Sequence, residues 1–379
     1  MGIRRRDTGS IGYVHMKAHA YPHKRGILAR RSRTIGAVLA ALVLVTTVGC
    51  GKREPYTGAP KGTPSSPSSG TTVPDINTSS ASVNGKALRD SKGGADTSFV
   101  VVGHAYGSNR EELDTTPSRP LLNSLPTIKQ LQPDFLMSLG DMIRISNPEQ
   151  FDILDQRLLN AVDFPIFNAP GNHDVADRAL YEERYGKQTW YSFHHAGNLM
   201  LVLDTERGQC SINREQFAFV SRALQAAAHD PKVRNVFVFM HKTWLVQDPR
   251  VWTSENPAAQ PNKQKCPRTT PVFHKLYTQV EKTARAKPTY VFAGDVGAWG
   301  NMTPFVETRR DIPLNIFATG LGDTERDSGI LVTIRNGAVS MKVLPFSGQA
   351  VEPLRQYTFD YWLQQPSLKE APLAPQLPR

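Results

Sequence analysis

The sequence predicts an α/β domain, on three observations. From residue 97 onward, short apolar runs rich in β-branched and aromatic residues recur. Stretches with apolar residues at three-to-four spacing separate several of them. Most of the apolar runs stop abruptly at Gly, Asp, Asn or His. Continuous apolar runs of this length are strands buried on both faces, and strands that alternate with helices pair in parallel.

The elements follow in order. Ser98–Val102 is a strand that ends at Gly103-His104. Pro120–Leu131 is a helix, and Phe135–Leu139 is a strand that ends at Gly140-Asp141. A helix over Pro148–Val162 precedes the strand Pro165–Ala169, which leads into Gly171-Asn172-His173-Asp174. Leu199–Leu203 ends at Asp204, and Ser211 stands where it would cap a helix over Arg214–Ala228. Asn235–Met240 ends at His241, Phe273–Ala286 is an amphipathic helix, and Thr289–Ala293 ends at Gly294-Asp295. Beyond Asp295 the helical patterns stop. Leu314–Ala318, Ile330–Ile334 and Val339–Leu344 read as added antiparallel strands, with a hairpin turn at Arg335-Asn336-Gly337. The Pro- and Gln-rich end is expected to fray.

The chain has 379 residues and a net charge of +11. Residues 1–50 hold nine Lys or Arg and one acid, Asp7, so most of the basic excess sits there and the remainder carries only +3. That distribution excludes a nucleic-acid footprint in the body of the chain. Ile35–Gly49 is an uncharged run of 15 residues behind Arg30-Arg31-Ser32-Arg33. It is shorter than the roughly 20 residues of a spanning helix and has the basic, apolar, small-residue order of a secretory signal. Thr47-Val48-Gly49-Cys50 resembles a bacterial lipobox, which implies lipidation at Cys50. Residues 51–95, rich in Gly, Pro, Ser and Thr, are expected to be a disordered tether. The organisation expected is therefore an address segment at 1–50, a tether at 51–95, a globular domain at 96–348 and a tail at 349–379. The expected location is a membrane-anchored lipoprotein of the periplasm, outer membrane or cell surface. In an exported chain Cys210 and Cys266 invite a disulfide, with two unpaired thiols as the alternative.

Ligand sites in open α/β sheets lie beyond the carboxyl ends of the strands. Those ends here carry His104, Asp141, Asn172, His173, His241 and Asp295. Carboxylate and amide oxygens suit hard divalent metals, and imidazole suits borderline ones. The residues therefore point to a metal centre on one sheet edge.

The order Gly-Asp, then Gly-Asn-His-Asp, then an apolar strand ending in His resembles the calcineurin-like metallophosphoesterase family. The resemblance covers roughly residues 97–345 and is strongest at SLGDMI around Asp141 and APGNHDV around Asn172-His173. It implies a sandwich of two mixed β-sheets flanked by helices. It implies Asp141 as a carboxylate bridging two metals, Asn172 and His241 as ligands of the second metal, and Asp295 in the place of the last motif's first His. His173 would contact phosphate and assist the leaving group, with Asp174 orienting it. Two positions depart from the family: its opening Asp-x-His is His104-Ala105-Tyr106 here, and its final His is Gly297. The first metal would then keep His104 and Asp141 and gain Tyr106, with a tyrosinate–iron pair as one form. Arg144 and Lys242 follow ligand positions and would contact phosphate. The resemblance implies one or two ions of manganese, iron or zinc. It also implies hydrolysis of a phosphate mono- or diester, on a small molecule or an envelope polymer. The alternative is a non-catalytic envelope binding or scaffold protein on the same fold. The Pro-, Asn- and Gln-rich insertion at 246–270 lies just after His241. Such an insertion would set specificity or be a tolerated surface loop.

Overall fold

The computed structural model describes residues 81–88, 94, 96–108, 116–208, 210–254, 270–296, 302–346 and 351–365. All of them belong to the unit Pro67–Arg379. The address segment with Cys50, most of the expected tether, Cys266 and Gly297 lie outside the described residues.

Two mixed sheets form the centre. The first has β1 (Thr97–Val102), β2 (Phe135–Ser138) and β3 (Ile166–Asn168) in parallel, with the hairpin β10 (Ser328–Arg335) and β11 (Ala338–Pro345) added antiparallel beside β1. Its order is β11-β10-β1-β2-β3. The second has β5 (Asn198–Val202), β6 (Asn235–Met240), β7 (Thr289–Ala293) and β9 (Leu314–Ala318) in parallel, flanked antiparallel by β4 (Tyr191–His195) and β8 (Phe305–Thr308). Its order is β4-β5-β6-β7-β9-β8.

The facing sides of the sheets bury an aromatic layer that includes Phe99, Phe135, Phe167, Phe237, Phe239 and Phe292. Phe99 stacks on Phe135 at 4.5 Å within its sheet and meets Phe237 of the other sheet edge-on at 5.4 Å. Each buried Phe contributes on the order of 2 kcal/mol. Helices cover the outer faces. α1 (Arg119–Gln130) and α2 (Pro148–Leu154), which runs on into a π-turn at Asp155–Leu159, pack Leu121, Ile128, Phe151 and Leu154 on the first sheet. α4 (Arg214–His229) and α6 (Pro271–Ala286) pack Val220, Leu224, Leu276 and Val280 on the second. Each starts at a side-chain cap, from Ser118, Asn147, Asn213 and Thr270 respectively. For α4 the cap is Asn213, two residues after the expected Ser211. Two short helices, α3 (Arg178–Tyr185) and α5 (Pro249–Thr253), were not legible as elements.

Two boundaries differ from the sequence expectation. Residues 81–88 fall inside the expected tether, yet Ala81 and Ser82 are buried. The Val83 amide donates to the Ile166 carbonyl at 2.8 Å, and Asn84 Oδ1 accepts from the Ile166 amide at 3.0 Å. The segment thus binds the outer edge of β3. At the other end, part of the expected tail is core. Leu354, Tyr357, Phe359 and Trp362 are buried, and Trp362 Nε1 donates to the Pro304 carbonyl at 3.0 Å. Trp362 and Phe359 belong to α7 (Phe359–Leu363), capped by Thr358. No helix of the described residues is long and apolar enough to cross a membrane.

Candidate metal centre

The carboxyl ends of β1, β2 and β3 in one sheet and of β6 and β7 in the other bring the chemistry together. His104 follows β1, Asp141 follows β2, Asn172-His173-Asp174 follows β3, His241 follows β6 and Asp295 follows β7. His104, Asp141, His241 and Asp295 are each at most 1% exposed. One ligand atom from each of His104, Asp141 and Asp295 can lie within 4.8 Å of the others. His104 Nδ1 is 3.2 Å from Asp141 Oδ2, and His241 Nε2 is 3.4 Å from the same oxygen and 3.7 Å from Asp295 Oδ2.

The backbone is bent to make this approach. His104 and Asp141 adopt left-handed φ values of 46° and 55°, which non-glycine residues rarely do. Gly171 is required opposite Asp141, because a Cβ there would lie 2.2 Å from Asp141 Oδ1. The orientation of His241 is fixed by the Leu139 carbonyl, which accepts from Nδ1 at 2.7 Å and leaves Nε2 facing the carboxylates.

The electrostatics couple the carboxylates to the imidazoles. Burial works against ionised Asp141, but the adjoining His241 and His104 outweigh it and hold its carboxyl well below the usual range. Burial likewise works against a charged His241, yet Asp141 and Asp295 push it up to about 9. Both ring nitrogens of His104 and Nε2 of His241 are buried without a hydrogen-bond partner. Buried imidazole nitrogens are normally satisfied. Aimed at two carboxylates, these fit a metal ion, and His104, Asp141, His241 and Asp295 are the residues that would hold it.

Other predicted residues take different places. Asp174 does not orient His173. Its carboxylate accepts from the amides of Asp141 at 2.9 Å, Met142 at 2.7 Å and Gly171 at 2.9 Å, and so ties the Asp141 loop to the Asn172 loop. Burial and the Asp141 charge push its carboxyl upward. The partner of His173 Nδ1 is the Arg144 carbonyl at 2.6 Å, while Nε2 lies 3.4 Å from the Tyr106 hydroxyl. The Tyr106 ring packs on His104 with centroids 4.2 Å apart. Asn172 is exposed, and His173 and Arg144 are half-buried, so these three form the accessible rim.

Lys242 is not at that rim. It is 3% exposed, and Nζ donates to Asn172 Oδ1 at 2.5 Å and to Asp295 Oδ2 at 2.9 Å. Glu206 Oε1 lies 3.4 Å from the same nitrogen. Burial disfavours the charge on Lys242, but Asp295 and Glu206 outweigh it and raise its pKa. Glu206 was missed in the sequence; the only signal was its position just past the β5 strand end. Of the residues expected around the second metal, Asn172 and Asp295 therefore already bind an ammonium, and they do not fit a second ion while it is there. Cys210 is disulfide-bonded, and its expected partner Cys266 lies outside the described residues.

No protein-family model matches the chain, and no curated protein matches it. Among solved structures it is similar to a crystal structure of a dimetal phosphatase from Danio rerio, at 13% identity and a TM-score of 0.48, over 66% of this chain and 96% of that one. It is also similar to a conserved uncharacterized protein from Streptococcus pneumoniae, described as a predicted phosphoesterase. That match has 9% identity and a TM-score of 0.29, over 68% of this chain and 93% of that one. Likeness this distant does not carry function from one chain to another.

Proposed function

We propose that this chain hydrolyses a phosphate ester at a metal centre built on His104, Asp141, His241 and Asp295. The observation that carries the reading is the set of buried imidazole nitrogens of His104 and His241 that make no hydrogen bond and meet only the Asp141 and Asp295 carboxylates at ion-pair distance. A bound ion of manganese, iron or zinc would supply Lewis-acid activation of water and neutralise phosphoryl charge.

The chain's own residues supply the rest. The Arg144 carbonyl can only accept, so His173 Nδ1 carries a proton, and the second proton is taken up and released at Nε2. His173 belongs to the half-buried rim, and its Nε2 would donate to the leaving oxygen of the ester. The Tyr106 hydroxyl holds Nε2 in line. Arg144 at the same rim attracts the anionic substrate, a phosphorylated small molecule or envelope polymer. Asn172 borders the opening from the β3 side. Ile35–Gly49 followed by Cys50 supports export and lipid anchoring of this enzyme.

The test is hydrolysis of generic phosphomonoester and phosphodiester substrates by metal-loaded protein. Asp141→Ala is expected to lose both metal and activity. His173→Ala is expected to keep its metal content and lose about 10²–10⁴-fold in kcat. Unchanged turnover in both variants refutes the reading.

A further inference from the structure

The positive charge on the Asn172 side of the centre is built into the chain. Lys242 Nζ sits among three oxygens contributed from three strand ends: Asn172 Oδ1 beyond β3, Glu206 Oε1 beyond β5 and Asp295 Oδ2 beyond β7. An amide oxygen and two carboxylates are the donor set a hard divalent cation takes. Two of them, Asn172 Oδ1 and Asp295 Oδ2, accept hydrogen bonds from the ammonium, and Glu206 Oε1 lies at ion-pair distance. An ammonium and a second metal ion cannot both sit at the centre of the three oxygens, because a metal there would draw all three to about 2.0–2.6 Å of its own position. Among the described residues the opposite side has no such ammonium, and its imidazole nitrogens make no hydrogen bond and meet only carboxylates.

We propose that Lys242 stands in for a second metal ion, so that the working centre is one metal ion and one buried ammonium joined through Asp295. The proposal rests on the metal-centre reading above. Asp295 Oδ2 is the link, 2.9 Å from the ammonium and 3.7 Å from His241 Nε2. The arrangement makes Lys242 a positioning residue: it fixes Asn172 and Asp295 and supplies charge that cannot dissociate. It also accounts for His104 and Asp295 standing where the related motifs have Asp and His. A centre with one resident cation needs its imidazole nitrogens gathered at the other position.

The experiment is a titration of metal-free protein with Mn(II), read by calorimetry for stoichiometry and by electron paramagnetic resonance for coupling between ions. Wild-type protein is expected to bind one equivalent with a mononuclear spectrum. Lys242→Met, which keeps the length and removes the charge, is expected to bind two equivalents with a spin-coupled spectrum. Asn172→Ala, at an exposed position, is expected to change the affinity for the first ion by less than threefold, whereas Asp141→Ala lowers it at least a hundredfold. Should Lys242→Met fail to fold by circular dichroism, the wild-type spectrum and the Asn172→Ala affinity decide the matter. Two coupled ions in wild-type protein overturn the proposal and leave the metal-centre reading standing. One equivalent in both wild-type protein and folded Lys242→Met also overturns it. No bound ion in wild-type protein overturns both.

Discussion

Asp174 shows what one side chain does for a site it does not line. It is fully buried and receives three backbone amides from two loops. Hydrogen bonds to a charged acceptor contribute roughly 1.5–3 kcal/mol each, and orphaned buried donors cost more than their pairing contributed. Asp174→Ala is therefore expected to lose at least ~3 kcal/mol in denaturant unfolding and to weaken metal binding without touching the metal. The Gly-Asp and Gly-Asn-His-Asp runs made the placement of Asp141, Asn172 and His173 at strand ends legible in the sequence. The role of Asp174 was not legible, since adjacency to His173 says nothing about where a carboxylate points. The burial of Lys242 among Asn172, Asp295 and Glu206 was not legible for a similar reason. Whether a lysine after a ligand reaches outward or inward depends on oxygens, such as Glu206, that arrive from another strand.

At the scale of elements, the loop between β9 and β10 holds a second buried acid. Asp327 accepts from the amides of Gly322, Asp323 and Thr324 and from the Thr324 hydroxyl. Burial, followed by the Asp323 charge, raises its pKa to about 7. An unfolded Asp titrates near 3.9, so between about pH 4 and 7 the unfolded chain binds fewer protons than the folded one. Stability from this group is complete below about pH 4 and declines as the pH rises through 7, by up to about 4 kcal/mol. Asp323→Asn removes the neighbouring charge. Its melting temperature relative to wild type is expected to rise between about pH 4 and 7; a constant difference would refute the assignment. Elements were legible where periodicity was strong. The Asn336-Gly337 turn has φ values of 50° and 83°, as a two-residue hairpin between β10 and β11 requires. Unread were α3 and α7, which are too short for a period, and β8, whose four residues include only two buried ones. The aromatic residues Tyr357, Phe359 and Trp362 were the signal that the chain end packs.

The two sheets of the described residues pack face to face, and their strand ends converge at the site. Gly294 lies where they meet, and a Cβ there would fall 2.1 Å from the Leu139 carbonyl oxygen, the same oxygen that orients His241. Gly294→Ala is expected to destabilise the protein by at least ~2 kcal/mol and to lower metal affinity, because overpacking would push the β2 loop away from the end of β7. Differential scanning calorimetry and metal titration on the same sample check both effects. The alternation of strands and helices carried the class of fold. The insertion of β10 beside β1 did not show, since a pairing across more than two hundred residues leaves no local mark.

The segment at 81–88 has a practical side. By occupying the amide and carbonyl of Ile166, it covers the only described edge of β3 that β2 leaves open. Open strand edges recruit other chains. A shortened protein that starts at the first strand would carry an adhesive border that the longer one hides. Cutting before residue 81 keeps the seal in place, and that boundary decides whether a trimmed sample stays monodisperse.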